Sequence, residues 1–391
     1  MHPNKLIRLL AVMTISLLMP TAALAHTSAK AAPALRHRAA LRHGHRVYSR
    51  HTARAAAAGQ TPTLLTPPVL IPAATGTTYY VSPSGSDSNS GTSPGAPWLT
   101  VTQVDRASLA AGDQVLFQGG ATFSDNTLMP GWGVGASGTN AVPISFGSYG
   151  QGDATITQGV WFKSDNYLAF QNLILGSAGG ITGTGFQGTG NSITIVNDTI
   201  QHVGIGINSM GNNWTIANNT INETGNSGML LGFDSSKAGD PAGGSNYLVE
   251  GNTITNTGLD SAFGYGTHGI YLKVANATVI NNTISHFRDD AISVRYRDNT
   301  IAGNHLSYGS IGIGWFQYDT SPGSSRWNNN TISHVSDAGI FVCGTREGCG
   351  EPMESFQISG NTITSYSGAV MNLQPTSGTY TLGKNTPRST V

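Results

Sequence analysis

The stretch Trp214-Thr215-Ile216-Ala217-Asn218-Asn219-Thr220-Ile221, followed by Gly228-Met229-Leu230-Leu231, decides how this chain folds. It sets three short apolar pieces between turn residues, and the unit recurs. The tetrad Asn-x-Thr-Ile or a close relative stands at Asn197-Asp198-Thr199-Ile200, Gly251-Asn252-Thr253-Ile254 and Asn281-Asn282-Thr283-Ile284. It returns at Gly303-Asn304-His305-Leu306, Asn329-Asn330-Thr331-Ile332 and Gly360-Asn361-Thr362-Ile363. Steps between the second residues are 21, 33, 30, 22, 26 and 31, a base period near ~22 with insertions. A second motif trails the first, at Gly204-Ile205, Gly269-Ile270, Ala291-Ile292, Gly312-Ile313 and Gly339-Ile340.

Three short strands per turn, repeated at this period, predict an all-β chain wound as a right-handed parallel β-helix. The tetrad Asn suits a left-handed turn position, and stacked Asn side chains would bond to the next coil as a ladder. Ile, Leu and Val of each coil would stack inside. The Asn-x-Thr triplets also fit a glycosylation pattern, but their place at the repeat's turn gives them a structural explanation first.

Composition agrees with a repetitive, turn-rich chain. Of 391 residues 51 are Gly, and only 10% are charged against the usual quarter. The net charge of zero conceals an asymmetry. Residues 1–25 read as a secretory signal: Lys5 and Arg8, an apolar stretch, then Ala23-Leu24-Ala25 as cleavage site. Residues 26–75 carry seven cations, five His and no acid, and end in Pro62, Pro67, Pro68 and Pro72. Such a segment buries too little apolar surface to fold alone. It is expected to be a basic, Pro-stiffened spacer, with cell-wall contact as the sharper alternative. The body, residues 76–391, keeps 11 cations against 20 acids, a net charge of −9. That balance argues against nucleic acid as a partner. No apolar run beyond the signal approaches the ~20 residues of a membrane helix. An exported monomer is the expectation.

The opening Tyr79-Tyr80-Val81-Ser82-Pro83-Ser84-Gly85-Ser86-Asp87-Ser88-Asn89-Ser90-Gly91-Thr92, continued by Ala111-Gly112-Asp113-Gln114-Val115-Leu116-Phe117, resembles the start of secreted bacterial members of the pectin-lyase-like β-helix superfamily, family 9 polysaccharide lyases among them. The resemblance covers most of residues 76–391. It implies a carbohydrate-active protein with an acidic polysaccharide as partner and a substrate groove on the outer face of one sheet. Fold alone does not fix the reaction.

Strand parity places the candidate chemistry. In Gly269-Ile270-Tyr271-Leu272-Lys273, Ile270 and Leu272 should point inward, leaving Tyr271 and Lys273 outside. One coil on, Ile292 and Val294 point inward and Ser293, Arg295 and Arg297 outward. One more coil puts Phe316 and Tyr318 outside and Trp315 inside. Uronate β-elimination needs a base, a cation for the carboxylate and a proton donor. Lys273, crowded by Arg295 and Arg297, is the expected base, since like charges favour the neutral amine. Arg295 would neutralise the carboxylate or give the proton. Tyr271, Arg297, Phe316 and Tyr318 would bind sugar. Family 6 lyases, which look similar here, use a Lys and an Arg one coil apart. The opposing view makes both solvated surface cations, paired with Asp234 or Asp319.

Acidic residues form a second group. Asp289-Asp290-Ala291-Ile292 and Thr267-His268-Gly269-Ile270 resemble motifs of family 28 polygalacturonases, with His268 in place of an aspartate. Hydrolysis through Asp290 is therefore a further alternative, although it needs two flanking carboxylates. Asp260, Asp289 and Asp290 are candidate oxygen ligands for Ca²⁺, with backbone capping the plainer role for Asp289. His268 is either a turn residue or a catalytic one. Cys343 and Cys349, six residues apart in an exported chain, are expected to form a disulfide. A non-catalytic, glycan-binding or adhesive rod remains the rival from another class.

Overall fold

A computed structural model describes residues 71–130, 136–176, 181, 183–232, 242–263, 266–344, 349–350 and 352–388. The expected signal at 1–25, the spacer at 26–75 up to residue 70, and Asp234 lie outside the described residues.

Coils of short strands stack in parallel register. Thr199 pairs with Thr220, Thr220 with Thr253, Thr253 with Thr283, and the row continues through His305, Thr331, Thr362 and Thr386. A second row runs Phe186, Ile207, Met229, Ile270, Ile292, Ile313, Ile340, Met371. These rows are two faces of a 19-stranded sheet, and a 12-stranded sheet from Thr78–Val81 to Tyr380–Leu382 forms the other wall. Each irregular step in the sequence period is thus absorbed by a loop while the strand register holds. The helix Val101–Arg106, N-capped by the Thr100 hydroxyl accepting from Gln103 N–H, buries Val101 and Val104 in the core. Among the described residues no helix is long and apolar enough to cross a membrane.

Inside, like residues stack on like. Ile200, Ile221, Ile254, Ile284, Leu306, Ile332 and Ile363 are buried one above another. Phe146 lies 5.0 Å from Phe170, and Trp214 5.9 Å from Tyr247 with their planes 2° apart.

The Asn ladder forms, and two neighbouring positions divide the work expected of one. The first residue of each tetrad takes the left-handed conformation: Asn218 (φ 56°), Gly251 (65°), Asn281 (56°), Gly303 (67°), Asn329 (56°), Gly360 (69°). Asn and Gly alternate there because those residues tolerate positive φ most readily. The second residue is the rung. From Asn252 onward each rung carbonyl accepts the backbone N–H and the side-chain N–H of the preceding rung, as Asn304 Oδ1 does from Asn282 at 2.9 Å for both. Each rung amide also reaches back one coil, Asn282 Nδ2 donating to Val249 O at 2.9 Å. The rungs Asn219, Asn252, Asn282, Asn304, Asn330 and Asn361 are buried, so only an amide, with donor and acceptor together, satisfies both neighbours.

Candidate functional site

Parity holds on the face that carries the candidate residues. Ile270, Leu272, Ile292, Val294, Ile313 and Trp315 belong to the core. The outward row runs Leu230, Tyr271, Ser293, Gly314, Phe341. Pairing continues past the strand Ile270–Leu272, with Lys273 N–H donating to Leu231 O at 2.8 Å and Arg295 N–H to Leu272 O at 3.0 Å. Lys273 and Arg295 therefore sit on adjacent coils, as their 22-residue spacing implies.

Outward does not mean solvated, however. Lys273 is 7% and Arg295 8% exposed, which removes the view of them as surface cations. Lys273 Nζ lies 4.6 Å from the Tyr271 ring centre and 6.0 Å from that of Tyr318. The Arg295 guanidinium lies 4.7 Å from Tyr271, 4.6 Å from Phe316 and 5.3 Å from Tyr318. These are cation–π distances, strengthened by the loss of water around the charges. Arg295 Nη1 also donates to Ser293 Oγ at 2.9 Å. The hydroxyls of Tyr271 and Tyr318 are 3.2 Å apart. Burial raises the Tyr271 pKa, with Arg295 opposing, so the phenol stays protonated.

Asp319 takes a different partner from those considered for it. It binds Arg297 through both oxygens, at 2.9 and 2.7 Å, and closes its own turn by accepting Ser321 N–H. Phe316 packs on Phe341, and Tyr318 on Tyr296, so both rings help to wall the cation pair.

Beside this group lies a buried acidic one. His268 Nδ1 is 3.4 Å from Asp290 Oδ2 and 3.9 Å from Asp289 Oδ2. Asp290 N–H also donates to His268 Nδ1 at 3.4 Å. Burial raises the Asp290 pKa to about 8, the neighbouring Asp289 charge adding to it. Burial, then the charges of Arg295 and Lys273, lower that of His268. Asp289 is raised by burial and accepts Gly266 N–H at 2.9 Å. Gly314 makes room for the Asp290 carboxylate, because a Cβ there would sit 3.2 Å from Oδ2 and 2.7 Å from the Phe316 ring. Asp260, grouped with the two aspartates from sequence, is not in this cluster. Its Oδ1 accepts Ala262 N–H within its own turn, and His268 stands in the third place. The route of the loop before His268 decides this, and spacing alone does not reveal a loop's route.

Cys343 and Cys349 are joined, with their Cα atoms 5.8 Å apart.

The chain has the right-handed parallel β-helix fold. Residues 241–386 match the family described as a right handed beta helix region. A lacto-N-biosidase of Bifidobacterium longum subsp. longum is 41% identical over 81 residues. That match covers 20% of this chain and 5% of the enzyme's length. Among solved structures, the GH136 lacto-N-biosidase from Eubacterium ramulus superposes with TM-score 0.52 at 16% identity, covering 80% of this chain and 68% of that one. A glycoside hydrolase reaches TM-score 0.59 at 7% identity, over 80% and 97% of the two chains. At such identities the likeness to the solved structures is one of fold.

Proposed function

We propose that this chain is an exported enzyme that cleaves a uronate-containing polysaccharide by β-elimination at the Tyr271 face. The observation that carries this reading is the convergence of Lys273 and Arg295 on one ring whose hydroxyl is paired with a second phenol. Arg295, a permanent cation anchored on Ser293, takes the uronate carboxylate and stabilises the negative charge that develops on it. Lys273 acts as base in its neutral amine form, its nitrogen lone pair taking the proton from the carbon next to that carboxylate. The electron pair forms the new C=C bond, the bond to the glycosidic oxygen breaks, and the departing oxygen receives a proton from the Tyr271–Tyr318 hydroxyl pair. A protonated Tyr271 suits that donor role. Arg297, held by Asp319, and the partly exposed rings of Phe316 and Tyr318 border the site as sugar-binding groups.

Hydrolysis through Asp290 fits less well. Its carboxylate oxygens are enclosed, whereas a general acid must touch the glycosidic oxygen.

The test is a panel of pectate, alginate and glycosaminoglycan, with and without added Ca²⁺, read for unsaturated products that absorb in the ultraviolet. Product formation that disappears in Lys273→Ala, with the fold intact by circular dichroism, supports the lyase. Reducing sugar released without unsaturation, including from lacto-N-biose-containing glycans, supports hydrolysis instead. Binding without turnover supports a non-catalytic rod.

A further inference from the structure

His268 reaches its place from the loop before the strand Ile270–Leu272, while Asp289 and Asp290 enter the next coil's strand, Asp290–Val294. One nitrogen and two carboxylate oxygens from these residues lie within 4.8 Å of one another. Asp290 is 1% and His268 2% exposed. The Ser293 hydroxyl faces Asp290, but neither Asp290 oxygen makes a well-formed hydrogen bond among the described residues, and His268 Nε2 makes none. Arg295 acts on this cluster from one side, yet a fully buried carboxylate beside a second one and an imidazole is a costly arrangement unless something positive or protonated lies among them.

The spacing fits an ion. Donors at about 2.1 Å from a tetrahedral zinc are about 3.4 Å apart. The imidazole nitrogen here is 3.4 and 3.9 Å from the two carboxylate oxygens. The nitrogen sets the chemical class, since Ca²⁺ and Mg²⁺ take oxygen shells, while imidazole with carboxylates suits Zn²⁺ or Mn²⁺. The backbone N–H of Asp290 reaches Nδ1 only at 3.4 Å, a long contact that an ion bound to the same lone pair would replace. Asp289, 22% exposed, lies on the side open to solvent, where an ion would enter.

We propose that His268, Asp289 and Asp290 form a binding site for a divalent transition-type cation, Zn²⁺ or Mn²⁺ in preference to Ca²⁺. The site supplies three protein ligands and leaves the remaining positions to water. It requires His268 in the ligand set and does not depend on the lyase reading, because binding is measured without any substrate.

The test uses the full-length chain stripped with chelator and titrated with ZnCl₂, MnCl₂ or CaCl₂ alone, followed by calorimetry and thermal unfolding. The expected result is tight binding of Zn²⁺ or Mn²⁺ with a rise in melting temperature, weakened about a hundredfold or more in His268→Ala. The histidines of residues 26–75 are common to both proteins, so the difference isolates the buried site. Asp289→Asn, at a partly exposed position, is the second variant should His268→Ala not fold, and it too should weaken binding. Equal binding by wild type and both variants overturns the proposal. So does a response to Ca²⁺ alone, or no response to any ion, which would mean that a proton on Asp290 resolves the cluster.

Discussion

Lys273 and Arg295 press their charged ends against the same ring, that of Tyr271, at 4.6 and 4.7 Å. The ring has two separable duties: its face holds the cations in place, and its hydroxyl meets Tyr318. Tyr271→Phe keeps the face and removes the hydroxyl. It is expected to eliminate unsaturated product at a stability cost of only about 1 kcal/mol, the worth of one partly exposed hydrogen bond. Tyr271→Ala removes both and should destabilise by about 2–4 kcal/mol. Denaturant midpoints alongside product rates distinguish the two duties. Full activity in Tyr271→Phe would remove the phenol from the mechanism.

The architecture was open to sequence because its determinants are local and repeated. The Thr-Ile step that sets the register, replaced once by His305-Leu306, and the rung residue, Asn in every unit after Asp198, recur from coil to coil, so each unit confirms the last. The separation of turn from rung went unread, because one Asn was expected to serve as both; its signal is the alternation of Asn218, Gly251, Asn281 and Gly303 before rungs that are always Asn from residue 219 onward. Facts that depend on loops were not open to sequence. Parity placed Arg295 outside the core correctly, but its burial comes from Phe316 and Tyr318 one coil on. Likewise, no spacing rule assigns Asp319 to Arg297 rather than to Lys273, or puts His268 where Asp260 was expected.

The ladder makes a direct stability prediction. Asn282 Oδ1 accepts both N–H groups of Asn252, and its Nδ2 donates to Val249 O and Asn304 Oδ1. Asn282→Ala strands these buried groups, each worth about 1–3 kcal/mol when orphaned. The expected loss is about 2–4 kcal/mol, read as a lower denaturant midpoint. Asn281→Gly, at the neighbouring left-handed position, should cost far less because Gly251 and Gly303 already serve there. Comparable losses for the two variants would mean that the rung has no special role.

The Cys343–Cys349 bond closes a small loop. A cross-link over seven residues restricts the unfolded chain by about 2 kcal/mol. Reduction should therefore lower the midpoint modestly without dispersing the fold, since both neighbouring walls remain hydrogen-bonded. Cooperative unfolding with and without reductant measures this directly. Collapse on reduction would show that the C-terminal coils depend on the bond.

The ladder begins on an acid, and this gives the protein a pH dependence. Asp198 occupies the rung position before Asn219: its backbone N–H donates to Asn219 Oδ1, and its Oδ1 accepts Leu173 N–H. Its Oδ2 is buried and has no partner among the described residues, in the place where every later rung carries an N–H donor. Burial holds its carboxyl well above the ordinary value, the Leu173 bond opposing and Asp153 adding slightly. The folded chain therefore binds a proton that the unfolded chain releases above about pH 4. Stability from this group is complete below that pH and declines as pH rises toward the folded-state value. Asp198→Asn supplies a permanent donor and removes the proton requirement. It should raise stability at pH 7 by about 1–3 kcal/mol, while at pH 4 variant and wild type converge. Melting temperatures measured from pH 4 to 8 decide the matter: a constant offset between the two proteins would mean that Asp198 keeps its charge inside the fold.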